Sequence, residues 1–218
     1  MLLKGLKINF LGDSITEGGC ASRQENRYVD LIAAKTGAVC RNYGIGGTRI
    51  AQQTVKSECA TWDRDFCGRI DEMESYADIV VVFGGTNDFG HGDAKLGSQD
   101  DTTPQTFYGA LNYLINRLKE KYSSSKIVFI TPMHRTGENN PRGEGNKLED
   151  GAILKEYVKI IKETAKRHNI SLLDFYNELG IDPNNAEDNK NYFADGLHPN
   201  DKGHNLIADR IISFLENL

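Results

Sequence analysis

Long apolar runs are missing from this chain. No stretch approaches the roughly 20 consecutive apolar residues that a membrane-spanning helix needs, so membrane insertion is not expected. Basic runs are missing too: Lys and Arg number 26 against 31 Asp and Glu, a net charge of −5 that argues against nucleic acid or an anionic membrane surface as partner. Cysteine is scarce. The four residues Cys20, Cys40, Cys59 and Cys67 include no Cys-x-x-Cys pair, and they read as free thiols rather than a metal, redox or disulfide framework. No internal repeat and no low-complexity linker breaks the chain. The apolar start, Met1 to Leu11, is interrupted by Lys4 and Lys7 and runs into Gly12-Asp13-Ser14, without the core and cleavage site of a signal peptide. The expected compartment is therefore the cytoplasm.

What is present suits one globular domain over residues 1–218. At 218 residues and 39% hydrophobic composition, a fold buries roughly 70% of the surface its unfolded chain exposes and needs neither disulfides nor metals. Five short apolar or β-branched runs, Lys7 to Leu11, Ala38 to Asn42, Ile79 to Phe83, Lys126 to Thr131 and Ser171 to Asp174, alternate with helical patterns. That alternation predicts an α/β fold, a three-layer α/β/α sandwich on a five-stranded parallel sheet with flavodoxin-like strand order. Phe107, Ala110, Leu111, Leu114, Ile115 and Leu118 form the stripe of one helix, and Leu154, Tyr157, Val158, Ile161 and Ala165 that of the next. Asn26 is the expected cap of a helix through Tyr28, Leu31 and Ile32 that stops at Gly37; a further helix is expected around Asp65 to Ser75, and Leu206 to Leu215 marks a terminal one. Three polar stretches, Gly90 to Thr103, His134 to Lys147 and Tyr176 to Asp195, read as long loops of functional type.

Four unusual segments are each expected to follow a predicted strand: Gly12-Asp13-Ser14-Ile15-Thr16 after the first, Asn42 through Thr48 after the second, Gly84-Gly85-Thr86-Asn87-Asp88 after the third and Asp195-Gly196-Leu197-His198-Pro199-Asn200 after the last. In a parallel sheet they meet at one edge, where such folds bind ligands. Singly, each is ordinary turn or cap chemistry. Together they offer a hydroxyl in Ser14, an imidazole base in His198 and a carboxylate in Asp195 to orient it. The Ser14 amide, the Gly47 amide and the Asn87 side chain could serve as donors to an oxyanion.

In these segments the sequence resembles the SGNH-hydrolase, or GDSL esterase and lipase, superfamily, with matches in order from Gly12 to Pro199. The resemblance implies Ser14 as nucleophile, Gly47 and Asn87 as oxyanion donors with Ser14, and Asp195 and His198 as acid and base. The first block departs in having Thr16, Glu17 and a glycine pair after Ile15.

Competing motifs are absent from the sequence: Gly44-x-Gly46-x-x-Arg49 lacks the third glycine of a dinucleotide fingerprint, and there is neither a phosphate loop nor a Gly-x-Ser-x-Gly elbow. No cofactor is expected. His91, His134, His198 and His204 lack metal-site spacing, so no metal is expected either. His204 reads as structural. Asp13, Arg49, His91 and His134 are the candidate substrate contacts, although a surface ion pair for Arg49 and a core position for Trp62 are the plainer readings. The expected activity is hydrolysis of a small-molecule carboxylic ester through a Ser14 acyl-enzyme, with short acyl groups on a carbohydrate or other polar alcohol. The few aliphatic residues of Gly90 to Thr103 and His134 to Lys147 favour that substrate, whereas a groove lined by Phe89, Phe107 or Tyr192 would favour longer chains. The alternatives are a lipase, thioesterase or lysophospholipase, and a non-catalytic carbohydrate-binding module on the same scaffold.

Overall fold

Residues of a strand alternate between two faces, and in the five-stranded parallel sheet of this protein the central strands bury both. The computed structural model describes residues 1–145, 147 and 151–218. Its strands are β1 Lys7–Gly12, β2 Val39–Gly44, β3 Ile79–Phe83, β4 Lys126–Ile130 and β5 Ser171–Leu173. They lie in the order β2-β1-β3-β4-β5, the flavodoxin-like order expected from the alternating pattern. The helices described are α1 Ser14–Glu17, α2 Tyr28–Thr36, α3 Phe66–Arg69, α4 Thr86–His91, α5 Phe107–Lys121, α6 Leu154–Arg167, α7 Phe175–Glu178, α8 Ala186–Tyr192 and α9 Asp201–Glu216.

Phe10, Val81 and Phe83 face one side of the sheet and pack with Tyr28 and Ile32 of α2 and Ile207 and Ile211 of α9. Leu11, Val80, Val82 and Phe129 face the other and pack with the stripes of α5 and α6. Each side chain so buried contributes about 1.5–3 kcal/mol relative to exposure, which fixes the register of the layers. Among the described residues no helix is long and apolar enough to cross a membrane.

Several expectations are corrected. Asn26 does not cap α2: it lies in a 3₁₀ turn, Gln24–Asn26, and its amide donates to Asp201 of α9 at 2.8 Å. The helix expected over Asp65 to Ser75 is only α3 followed by a 3₁₀ turn, Ile70–Glu72. The loop expected over Tyr176 to Asp195 contains the rest of α7 and all of α8. Within the stretch His134 to Lys147, Asn146 lies outside the described residues.

Candidate active site

The strand order reverses between β1 and β3, so the chain leaving each strand diverges and opens a crevice at their carboxyl ends. Ser14 stands there as the first residue of α1. Asp13 caps this helix, accepting from the Ile15 amide at 3.0 Å, and is itself 1% exposed. Burial pushes its carboxyl up to about 6. Asp13 thus orients the serine turn and is not presented to a ligand.

Gly44 lets β2 pass against α1, since a methyl group there would meet the Glu17 amide nitrogen at 2.1 Å. Asn42 ties the two segments, donating to the Thr16 carbonyl at 2.7 Å and accepting from the Gly44 amide at 2.8 Å. Glu17, the departure noted in the first block, accepts from the Gly46 amide at 2.9 Å. A methyl group on Gly46 would lie 3.7 Å from the Cβ of Ser14, so the second segment borders the hydroxyl. Gly47 has φ +73°, and a side chain there would collide with the Trp62 ring at 2.1 Å. Glycine is required on both counts.

Asn87, in the first turn of α4, donates its side-chain amide to the Thr48 carbonyl at 2.9 Å and so sits beside Gly47. Its neighbour Asp88 accepts from the amides of Ile50 and Ala51, both at 2.9 Å, and is pushed up to about 6 chiefly by burial.

His198 arrives from the turn before α9. Its Nε2 lies 2.9 Å from Ser14 Oγ and its Nδ1 2.7 Å from Asp195 Oδ2. Burial alone would raise the Asp195 carboxyl, but hydrogen bonds from the His198 ring and from the His198 and Leu197 amides outweigh it and hold the group below its usual range. An ionised carboxylate only accepts, so Nδ1 donates to Asp195, and in the neutral imidazole this leaves the Nε2 lone pair to the Ser14 hydroxyl. The turn is anchored from β4's side: the Thr136 amide donates to the Gly196 carbonyl at 2.9 Å. His204 of α9 bridges the Tyr28 amide and the Gly19 carbonyl, tying the start of α2 to the turn after α1, a structural place as expected.

The remaining candidates are placed differently. Arg49 is 3% exposed, and its guanidinium holds Ser57, Asp63, the Trp62 carbonyl and His91. The surface ion pair expected of it is a half-buried one, with Asp63 still 29% exposed, and the guanidinium braces the turn behind Trp62 rather than reaching a ligand. Trp62 is not a core residue: it is 38% exposed, packed on Gly47 and on the His91 ring at 4.8 Å. His91 ends α4, and burial lowers it to about 4, leaving a neutral imidazole whose Nδ1 accepts from Arg49. His134 pairs with Glu138 at 2.9 Å and lies against the Tyr176 ring.

Two residues had no signal in the sequence. Arg69 of α3 is buried and donates to the carbonyls of Tyr43 and Gly12 and to the Thr48 hydroxyl, binding the ends of β2 and β1 to the Gly47 segment. Cys20, in the turn after α1, lies with Asp195 and His198, one ligand atom of each within 4.8 Å of the others.

The profile of the GDSL-like Lipase/Acylhydrolase family matches residues 10–206. No curated protein matches the chain. One solved structure is 30% identical over 100% of this chain and 99% of its own, with TM-score 0.85. A protein from Lactobacillus plantarum is 28% identical over 98% of both chains, with TM-score 0.83. The acetyl xylan esterase AlAXEase is 25% identical over 95% of this chain and 98% of its own, with TM-score 0.65.

Proposed function

The chain belongs to the GDSL-like lipase/acylhydrolase family, and from that premise we propose that it is a serine ester hydrolase working through a Ser14 acyl-enzyme. The observation that carries the reading is the unbroken relay from Ser14 Oγ through His198 Nε2 and Nδ1 to Asp195 Oδ2, at 2.9 and 2.7 Å. As Oγ attacks the ester carbonyl, its proton passes to Nε2, and Asp195 stabilises the imidazolium that forms. Negative charge develops on the carbonyl oxygen, for which the Ser14 and Gly47 amides and the second N–H of the Asn87 amide are the proposed donors. The imidazolium then protonates the departing alcohol. Water, deprotonated by His198 in turn, releases the acid and restores Ser14.

The proposed substrate is a short-chain, chiefly acetyl, ester of a carbohydrate or similar polar alcohol. Likeness to an acetyl xylan esterase supports this. So does the exposed Trp62 face beside Gly47, a flat surface suited to the C–H face of a sugar ring. A fluorophosphonate probe tests the mechanism: wild-type protein should be labelled at Ser14, and Ser14→Ala should lose both the label and about three or more powers of ten of ester turnover with the fold intact. Unlabelled wild-type protein would instead point to a binding module on the same scaffold.

A further inference from the structure

The turn after α1 carries a feature that ester hydrolysis does not need. Gly18 closes α1 in the left-handed region, and Cys20 also lies there at φ 64°. The turn is fastened from within by the Gly19 amide on the Ser14 carbonyl at 2.7 Å, the Ala21 amide on the Gly18 carbonyl at 3.0 Å and His204 Nε2 on the Gly19 carbonyl at 3.2 Å. Cys20 is thereby held at the open side of the relay. Its Sγ, a ring nitrogen of His198 and a carboxylate oxygen of Asp195 all lie within 4.8 Å of one another, the one such grouping of three among the described residues.

Thiolate, imidazole and carboxylate are the donor set of zinc and its soft congeners, not of magnesium. Donor atoms on a tetrahedral zinc stand about 3.5 Å apart, so a shift of about 1 Å by the side chains completes the site. Cys20 is exposed and the Asp195 side chain is 49% exposed, which leaves both able to close and leaves the ion a path from solvent. Water would fill the fourth position.

We propose that Cys20, Asp195 and His198 form a site for a soft divalent cation, zinc foremost, whose occupancy switches the hydrolase off. Binding stands on the ligand set alone; the switching rests on the function proposed above. As the sulfur–zinc bond forms, the thiol proton leaves to solvent. Either ring nitrogen gives the same outcome. Ligation through Nδ1 moves the ring proton to Nε2, which then cannot accept from Ser14. Ligation through Nε2 occupies the lone pair itself and removes the Ser14 contact. Asp195, drawn onto the metal, no longer orients the ring.

The test titrates CdCl₂ into the protein, following the ultraviolet charge-transfer band of a cadmium–thiolate bond, and separately titrates ZnCl₂ into a p-nitrophenyl acetate assay. In wild type and in Cys59→Ser the cadmium band should saturate near one equivalent, and it should vanish in Cys20→Ser. Zinc should inhibit wild type reversibly, with activity restored by EDTA, whereas magnesium should not inhibit. Half-inhibition of Cys20→Ser should need about 10- to 100-fold more zinc, at least the loss that follows from removing a group that merely supports a ligand. Absence of the cadmium band, or equal zinc sensitivity of wild type and Cys20→Ser, overturns the proposal. A Cys20-dependent band in a protein that hydrolyses no ester would uphold the site while removing the hydrolase reading.

Discussion

A side chain's chemistry limits what it can do, and its neighbours decide which of those things it does. Asn87 has two amide hydrogens; the Thr48 carbonyl accepts at 2.9 Å, which fixes the nitrogen on that side and orients the other hydrogen. If that hydrogen meets the oxyanion, its stabilisation is realised mainly as charge develops. Asn87→Ala should then lower kcat by about 10²- to 10³-fold while changing KM little. Steady-state kinetics on p-nitrophenyl acetate measure both, and a raised KM at unchanged kcat would move Asn87 to ground-state binding. The grouping of Ser14, Asp195 and His198 was legible in the sequence because those three types suit the activation of a hydroxyl, although only Ser14 follows a strand and the other two lie in the turn between α8 and α9. Arg49 and Arg69 were not. An arginine's type does not say whether it points outward to a ligand or inward to carbonyls, and here Arg69 ties three backbone segments together while Arg49 braces the turn that carries Trp62. Cys20 was missed because its partners lie more than 170 residues away in sequence and no local spacing joins them.

At the level of elements, periodicity found what packs and overlooked what does not. The apolar stripes of α5 and α6 lie within the helices the sequence indicated, because each stripe buries against the sheet. Helix α8 has no buried residue and no stripe, so only its cap betrays it: Asn185 accepts from the amides of Glu187 and Asp188. The same chemistry was assigned one residue early at Asn26: the residue before α2 is Arg27, which makes no side-chain cap, and the Asn26 amide instead reaches Asp201 across to α9. The working cap at that end of the fold is Asn200, which accepts from the amides of Lys202 and Gly203 and donates to the carbonyls of Asn191 and Phe193. It thus starts α9 and joins it to the end of α8, immediately after His198-Pro199. Asn200→Ala should destabilise the protein by about 1–2 kcal/mol, near the top of the range for a lost cap because the second pair of bonds goes too. Urea unfolding measures it. A midpoint equal to wild type at unchanged m-value would mean that water replaces the cap at no cost.

Across the whole molecule, the parallel sheet with order β2-β1-β3-β4-β5 gathers Ser14, Gly47 and Asn87 at one edge, and the Thr136–Gly196 bond draws the Asp195–His198 turn to the same edge. What the fold leaves around that edge bears on the size of the acyl group. A long chain needs a continuous apolar groove, since each methylene contributes about 0.8 kcal/mol only when it leaves water. The aromatic residues that would have lined such a groove are committed elsewhere. Phe89 and Phe107 are 1% and 0% exposed within the α5 and α6 core, and Tyr192 lines a separate surface hollow with Asp201, Lys202, Asn205, Leu206 and Asp209. The segment after α4 is fastened by Asp93, which accepts from the amides of Thr54 and Val55, and its two aliphatic residues, Ala94 and Leu96, are taken up in packing against the core of α5 and α6. Cys20 and Thr136 border the Asp195–His198 turn, and Glu17 and Trp62 border the Gly46-Gly47 segment; of these Trp62 alone offers broad apolar area. Lengthening the acyl chain beyond a few carbons should therefore add surface that stays in water and gains nothing at the transition state. Across p-nitrophenyl esters from acetate to palmitate, kcat/KM should peak at acetate or butyrate and fall with each further pair of methylenes; a maximum at octanoate or beyond would require an apolar groove that these residues do not form.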